Sequence, residues 1–531
     1  TVFTMNRFTD AIVGELSRFL EEIDVARLST TCDSMNAMLK RSLTSVEMDE
    51  NHRIDYSSYT GLRSLTYPDT RSKRKSKHPP NLTSLQHAPS MSEVPPSVTN
   101  LSFRGGGAGQ KLPGGLIRFS CSQVYFPKEF ASNHYDSMAM NIENLESLAL
   151  SAVRINLIPP NLTSLRLDCR RSIDEEVWND LPHCLKIFHL RIDDKLKTRP
   201  RNLVSKLPPS LKEFRVVTGY DFQWIFEKDD QFLPGIENVL LSGDVIVEGS
   251  NGIDCKIFPN TLKTLTIFNA DIVNLEQLPK SLTSFELDGS SAIDLGEEND
   301  LSKYLPEGIL HLKPNSRRGL SMSSVPPSAT FLSLFSHEGY SSQFTVNKLP
   351  VTLTHLESVH VSFDIVFNAV DFSHLVNLKK MKHFSIHDTS LVRAAEIRKI
   401  EIKFPDSLEY LSASGRLMIN TVPKSLKTFK VEQAIVKLSP KITKGESDFD
   451  LTDLPASLTY LSIFAFIPTK DMLTMPNVRK IKFSELKGNA ITTDYTVDVI
   501  SKVFPGLTSV HDGCPLMLRQ MLDGNRFICY E

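Results

Sequence analysis

The residues best suited to chemistry are 14 histidines and 7 cysteines. The cysteines are Cys32, Cys121, Cys169, Cys184, Cys255, Cys514 and Cys529. None form a C-x-x-C pair, and no Cys/His pair has the spacing of a zinc site. An odd number spread this thinly reads as reduced thiols, not a disulfide framework. The patterns G-x-S-x-G and H-E-x-x-H, a Walker A loop and the protein-kinase set are all missing. Gly105-Gly-Gly-Ala-Gly109 is glycine-rich but lacks the Lys-Ser/Thr that holds a phosphate, so it reads as a return loop. The expectation is a protein with no catalytic residues, no metal and no cofactor, hence no enzyme.

Charge and hydropathy narrow the partners. Lys+Arg is 60 and Asp+Glu is 62, a net charge of −2. A general nucleic-acid binder needs net positive charge to neutralise phosphates, so nucleic acid is a disfavoured partner. No apolar run is long enough to cross a membrane. With no charged-then-apolar leader pattern, the expected setting is cytoplasmic or nuclear. One basic run stands out, with Arg71, Lys73, Arg74, Lys75 and Lys77 inside Arg71–His78. It reads as a solvated loop, a nuclear-import-like segment or a contact to an acidic partner. No aromatic residue interleaves with these charges.

The elements that must carry any surface come from the prolines, 30 of them against 24 glycines. They recur in a fixed frame. Ile158-Pro-Pro-Asn-Leu-Thr-Ser-Leu-Arg-Leu167 aligns with Leu207-Pro-Pro-Ser-Leu-Lys-Glu-Phe-Arg-Val216 and with Leu278-Pro-Lys-Ser-Leu-Thr-Ser-Phe-Glu-Leu287. Val422–Val431 and Leu454–Ile463 repeat it, and weaker copies begin at Val94, Leu112, Leu181, Leu233, Leu305, Val325, Leu349, Phe404, Met475 and Phe504. Leu43–Met48, Leu62–Tyr67, Leu145–Leu150 and Met381–Ile386 keep only the apolar skeleton. About twenty units result, averaging about 23 residues each. L-x-x-L-x-L alternates like a strand, while proline fixes φ and lacks an N–H, which suits a turn leading into that strand. The Ser/Asn beside it can satisfy backbone groups at the corner. One unit cannot bury its apolar stripe, but stacked units share a core beside a parallel sheet. A β-sandwich with many proline turns is the alternative.

The repeats resemble the leucine-rich-repeat superfamily, and the LPxSLxxLxL form is similar to amoebal FNIP-type and bacterial effector repeats. The resemblance covers residues 43–512. It implies an α/β solenoid, a curved array of short parallel strands. The asparagine usual after the strand is mostly replaced, by Ser90, Arg170, Gly219, Ala270, Ser290, Arg416 and Ala434. A continuous asparagine ladder is therefore not expected.

Residues 1–42 do not fit the repeat. Ile12, Leu16, Leu20 and Ile23 recur at helical spacing, and Asp24 can cap a second helix. The order from Phe8 to Cys32 resembles an F-box, with matches at Ile12, Val13, Leu16, Leu20, Asp24, Val25, Leu28 and Cys32. Phe8 takes the usual leucine position, and Thr9 and Ala11 replace the usual proline and glutamate. The resemblance implies docking on a Skp-like adaptor through Phe8, Ile12, Val13, Leu16, Leu20, Val25 and Leu28. A plain helical cap shielding the first coil is the alternative. Residues 513–531 read as a C-terminal cap.

Two functions follow. One is an F-box substrate receptor linking an unknown target protein to a Skp-cullin-type ubiquitin ligase. The other is a non-catalytic scaffold component of a large particle such as a virion. In either case the third residue of each L-x-x-L-x-L should face outward on the sheet. It is mostly small or polar up to Ser284. It then turns aromatic and imidazole at His311, Phe331, His355, His383, Tyr410 and Tyr460. Such a column could grip a partner's segment, or its rings could simply stack and stabilise the sheet.

Overall fold

Most coils begin at a proline corner. In a computed structural model of the chain, the amide of Leu211 donates to the carbonyl of Pro208 at 3.0 Å. Leu282 to Pro279, Leu353 to Pro350 and Leu458 to Pro455 repeat the bond at 3.1 Å each. Proline opens a four-residue turn in which only its carbonyl is needed, so its missing N–H costs nothing. The next two amides then reach the preceding coil. Thr283 and Ser284 both donate to the carbonyl of Lys263, at 2.9 and 3.0 Å. This shared acceptor starts the strand.

The Ser of LPxSL acts between coils, not only within its own corner. Ser210 Oγ donates to the carbonyls of His183 and Leu185 at 2.5 and 2.8 Å. Thr352 reaches Pro327 and Ala329 at 2.7 Å each, and Ser457 reaches Lys424 and Leu426 at 2.6 and 2.7 Å. Asn377 Nδ2 takes the same place, 2.9 Å from the carbonyl of Val351. This hydroxyl ladder, on the leading side of the strand, stands in a fold whose trailing asparagines are mostly absent.

The structure describes the strands, their leading turns and some connections between residues 41 and 511. Residues 1–40, 48–55, 68–77, 89–93, 105–112, 123–144, 153–157, 170–174, 193–201, 227–230, 244–251, 291–299, 317–323, 335–348, 363–368, 388–400, 419–421, 439–448, 468–475, 484–504 and 512–531, with a few single positions and pairs, lie outside the description. The F-box-like segment, the basic run Arg71–Lys77 and the C-terminal cap fall there.

The chain divides into two units, Thr1–Asn251 with Ile257–Thr261, and Gly252–Lys256 with Leu262–Glu531. In the first, strands Ser45–Glu47, Ser64–Thr66, Ser84–Ala88, Asn100–Arg104, Arg118–Ser122, Ser147–Ala152, Ser164–Cys169, Ile187–Ile192, Glu213–Thr218 and Asn238–Gly243 run in order. Each pairs in parallel with the next. The leucines of the frame are buried, as at Leu162, Leu165 and Leu167. Aromatic side chains thread this core. Trp178, Phe188, Phe214, Phe232 and Phe258 follow one another with ring centroids 6.2, 5.8, 5.6 and 5.7 Å apart.

In the second unit the ladder runs through Thr264–Phe268, Ser284–Ser290, His311–Ser316, Phe331–Ser333, His355–Glu357, Lys380–His387, Tyr410–Ser414, Thr428–Leu438, Tyr460–Ile467, Lys480–Phe483 and Ser509–His511. All these pairs are parallel too. Two short parallel pairs lie apart from this ladder: Ile253–Asp254 with Ile272–Val273, and Ala369–Asp371 with Glu401–Lys403. Helix among the described residues is limited to six short 3-10 segments, such as Leu301–Lys303, plus a single helical position at Arg41. Asp300 caps that segment by accepting from the Ser302 amide at 3.0 Å. These are leucine-rich coils in parallel stacks, as the repeats predict, and among the described residues no strands pair antiparallel.

Candidate interaction face

In every coil the buried leucines alternate with outward residues. In the second unit the register fixes the outward column. Ser284 aligns with His311, then Phe331, His355, Lys380, Tyr410, Thr428, Tyr460, Lys480 and Ser509. Five of the six sequence-predicted residues therefore share one row. His383 does not. Lys380 occupies its place, and His383 sits in a bulge between Met381 and Phe384 with φ at 53°. The cause is a frame shift. Leu378-Lys379-Lys380-Met381 has the same L-x-x-L spacing as Met381-Lys382-His383-Phe384, three residues earlier, and the chain uses the earlier frame. Leu378, Met381 and Phe384 are all fully buried. Asn377, in the ladder position just before Leu378, is the sequence signal that marks the true frame.

The rings of this row stack along it. The His311 and Phe331 planes lie 7° apart with centroids 4.0 Å apart. His355 follows Phe331 at 6.4 Å and 28°. Farther along, lysines cover the rings. Lys380 Nζ lies over the Tyr410 ring, 5.3 Å from its centroid. Lys430, one strand beyond Tyr410 and one before Tyr460, places Nζ 5.4 Å from the first centroid and 5.6 Å from the second. Its shoulders are the small, buried Ser412 and Ser462, which align with it on either side. All five rings keep part of their surface accessible, and His355 is exposed.

Ion pairs run through the neighbouring outward column. Lys313 Nζ meets Glu286 Oε1 and lies 3.9 Å from Asp288. Lys382 Nζ meets Glu357 Oε1. Burial alone would raise the Glu357 pKa. The hydrogen bond and charge of Lys382, aided by His383 and Lys380, outweigh it and hold the group below its usual range. Burial pushes His311 down, with Lys313 adding to it against Glu286 and Glu357. Burial and then Lys380 push His355 down against Glu357. Both imidazoles are therefore neutral at neutral pH. From His355 to Lys480, the strands and the residue leading into each carry Lys379, Lys380, Lys382, Lys427, Lys430, Lys437, Arg479, Lys480 and Lys482 against Glu357, Glu409 and Glu432. The chain as a whole carries −2. This face is a basic, ring-bearing strip on a slightly acidic protein. Sequence reading missed Lys380, which only the register reveals as a member of the row, and Lys480, which the repeat beginning at Met475 already carries at its third position.

Elsewhere the reactive groups are occupied. His189 Nε2 and Arg215 Nε both contact Glu213 Oε1, at 2.8 and 2.6 Å, so that carboxylate is engaged twice. Burial, reinforced by Asp168, raises the Cys169 thiol, and burial, reinforced by Asp254 and Glu276, raises that of Cys255. Both stay protonated and make poor nucleophiles. Among the described residues no group of three His, Cys, Asp or Glu could hold a metal ion. Among them, too, no helix is long and apolar enough to cross a membrane.

The chain matches no family model and no curated protein. Among solved structures it is similar to CroV588, described as a circular leucine-rich-repeat protein. That match has 17% identity over 92% of this chain and 85% of that one, with a TM-score of 0.40. It is also similar to TLR13 from a complex with the RNA ssRNA13, with 13% identity over 94% of this chain and 76% of that one and a TM-score of 0.37.

Proposed function

We propose that the chain is a non-catalytic protein-interaction scaffold whose second unit holds a partner protein on its strand face. The observation that supports this most directly is the register, which lines up His311, Phe331, His355, Lys380, Tyr410 and, one strand past Thr428, Tyr460 in one row of a parallel ladder. Part-exposed aromatic rings in a row form the kind of rigid amphipathic surface that dominates binding hot spots. An enzyme reading has no support in the described histidines and thiols.

The finer reading is a substrate receptor. Residues 1–42 would dock on a Skp-like adaptor, residues 43–512 would hold a target, and residues 513–531 would cap the array. Such a protein acts by proximity, raising the effective concentration of target lysines near a conjugating enzyme. The support is the residue match from Phe8 to Cys32 and its place directly ahead of the repeats.

Affinity purification of the full chain beside a 1–42 deletion, read by mass spectrometry, tests it. A Skp-like adaptor should appear with the full chain and vanish with the deletion, while the target remains on both. If no adaptor is recovered and coat or shell proteins are recovered with both, the receptor reading fails and the particle-scaffold reading replaces it.

A further inference from the structure

The geometry points to an acidic, extended protein segment as the occupant of the strip made by Lys380, Tyr410, Tyr460 and Lys480 in one row and Lys430 in the column beside it. This rests on the interaction reading above and names the chemistry of its partner.

The five residues lie on five consecutive strands, and cation and ring alternate from strand to strand, with Lys430 set two residues beyond the row position Thr428. Lys380 and Lys430 flank the Tyr410 ring from the strands before and after it. With about 4.8 Å between strands and about 3.3 Å per residue along them, successive lysines are about 12 Å apart at the backbone, near the reach of three to four residues of an extended chain. A basic strip with interleaved rings could in principle take a single-stranded nucleic acid or an acidic peptide. The ring faces decide. Nucleobases bind such strips by stacking on open aromatic faces. Here His311 and Phe331 use their faces on each other, and lysine ammonium groups lie over Tyr410 and Tyr460. Rings stacked along the strand-to-strand direction turn their edges to solvent. A ring edge is the positive part of the aromatic quadrupole. Positive edges beside lysines favour carboxylates over π-faces.

Two features sharpen the charge complementarity. Glu357 and Glu409 on this face already have lysine partners, Lys382 and, at 2.7 Å, Lys427. Lys380 and Lys430 are held over rings, and Lys380 also acts through its charge on Glu357. A carboxylate arriving from solvent gains the Coulomb attraction while the ammonium keeps its ring contact.

The test uses the full chain and fluorescence anisotropy. The probes are a labelled glutamate-rich peptide, its glutamine counterpart and an oligo-thymidine single strand. The glutamate peptide should bind, the glutamine peptide should bind about tenfold or more weakly, and added salt should weaken the glutamate peptide. The double variant Lys380→Gln, Lys430→Gln should lose about tenfold for the glutamate peptide. Its urea midpoint should stay unchanged, since glutamine keeps much of the aliphatic stem. Equal binding of the two peptides, an unaffected double variant, or oligo-thymidine binding more tightly and displacing the peptide would each overturn the inference. A protein partner lost on changing Phe331, His355 and Tyr410 to serine but indifferent to Lys380→Gln, Lys430→Gln would overturn the acidic segment and leave the interaction reading standing. Indifference to both variants would overturn both.

Discussion

Removing one rung of the hydroxyl ladder tests what holds neighbouring coils together. Ser210 Oγ lies 2.5 Å from the carbonyl of His183 and 2.8 Å from that of Leu185, both on the preceding coil. A hydroxyl has one proton, so Ser210 contributes about one hydrogen bond shared between two acceptors. A net bond of this kind is worth about 1 kcal/mol, more where a part-buried carbonyl is left without a donor. Ser210→Ala should therefore destabilise by about 1–1.5 kcal/mol. The adjacent rung allows a change of opposite sign. Cys184 occupies the same frame position, and its Sγ lies 3.6 Å from the carbonyl of Pro160 and 3.3 Å from that of Leu162. A thiol is a weak donor. Cys184→Ser should therefore stabilise by about 0.5 kcal/mol, at the low end for one hydrogen bond. Urea unfolding followed by far-UV circular dichroism reads the totals. Amide exchange at Lys212 and Glu213, which donate to Lys186 at 2.8 and 3.0 Å, reads the local effect. If Ser210→Ala stays within about 0.3 kcal/mol of the parent and Cys184→Ser is neutral or harmful, the ladder is a geometric coincidence of serine-rich turns.

Other outcomes follow from the same structure. Gly61 approaches the backbone of Arg41 so closely that an added Cβ would meet the Arg41 carbonyl oxygen and lie 2.6 Å from its carbon, whereas nothing lies within 4 Å at Gly114. Gly61→Ala should thus lower the melting temperature by several degrees, about 1 kcal/mol or more, while Gly114→Ala should leave it near the parent value. His311 and His355 have folded pKa values below the ordinary 6.5, so the unfolded chain binds more protons. Their contribution is complete above pH 6.5 and is lost as pH falls through that value. It levels off below the folded pKa, and urea midpoints of His311→Gln should show a shallower slope in that window. Changing Phe331, His355 and Tyr410 together to serine should abolish partner capture while a cooperative unfolding transition survives. Retention of the partner would remove this face from the binding reading.

The coil was legible because its physics is local. Proline needs a position without an N–H, the turn supplies one, and the leucines that follow must alternate into a shared core. The role of the serine was only half legible. It was expected to serve its own corner, yet Ser210, Thr352 and Ser457 all reach the coil before them. Only three-dimensional stacking brings those carbonyls within reach. His383 shows the other limit. Where proline is missing, two frames fit an apolar run equally well, and Leu378, Met381 and Phe384 choose between them by packing. Lys380, missed by the sequence reading, belongs to the same difficulty, since its row membership follows from register with the neighbouring coils, whereas Lys480 stands at the third position of the readable repeat at Met475.

The first unit shows why the rings of the second call for a function. It builds the same parallel ladder with the same turns and buried leucines, and at the same outward position it places Ser45, Ser64, Ser84, Asn100, Arg118, Ser147 and Ser164. Seven coils therefore stack with no aromatic side chain at that place. A ring there is not a condition of forming the sheet, although a stacked pair such as His311 and Phe331 adds some stability. Part-exposed apolar area is otherwise a liability for solubility. The serine row and the ring row differ in surface chemistry while sharing a scaffold, as expected when the buried alternation serves the fold and the outward alternation is left to recognition. Transplanting the first unit's choice onto the second, with serine at Phe331, His355 and Tyr410, should therefore keep the coils and empty the surface of its affinity.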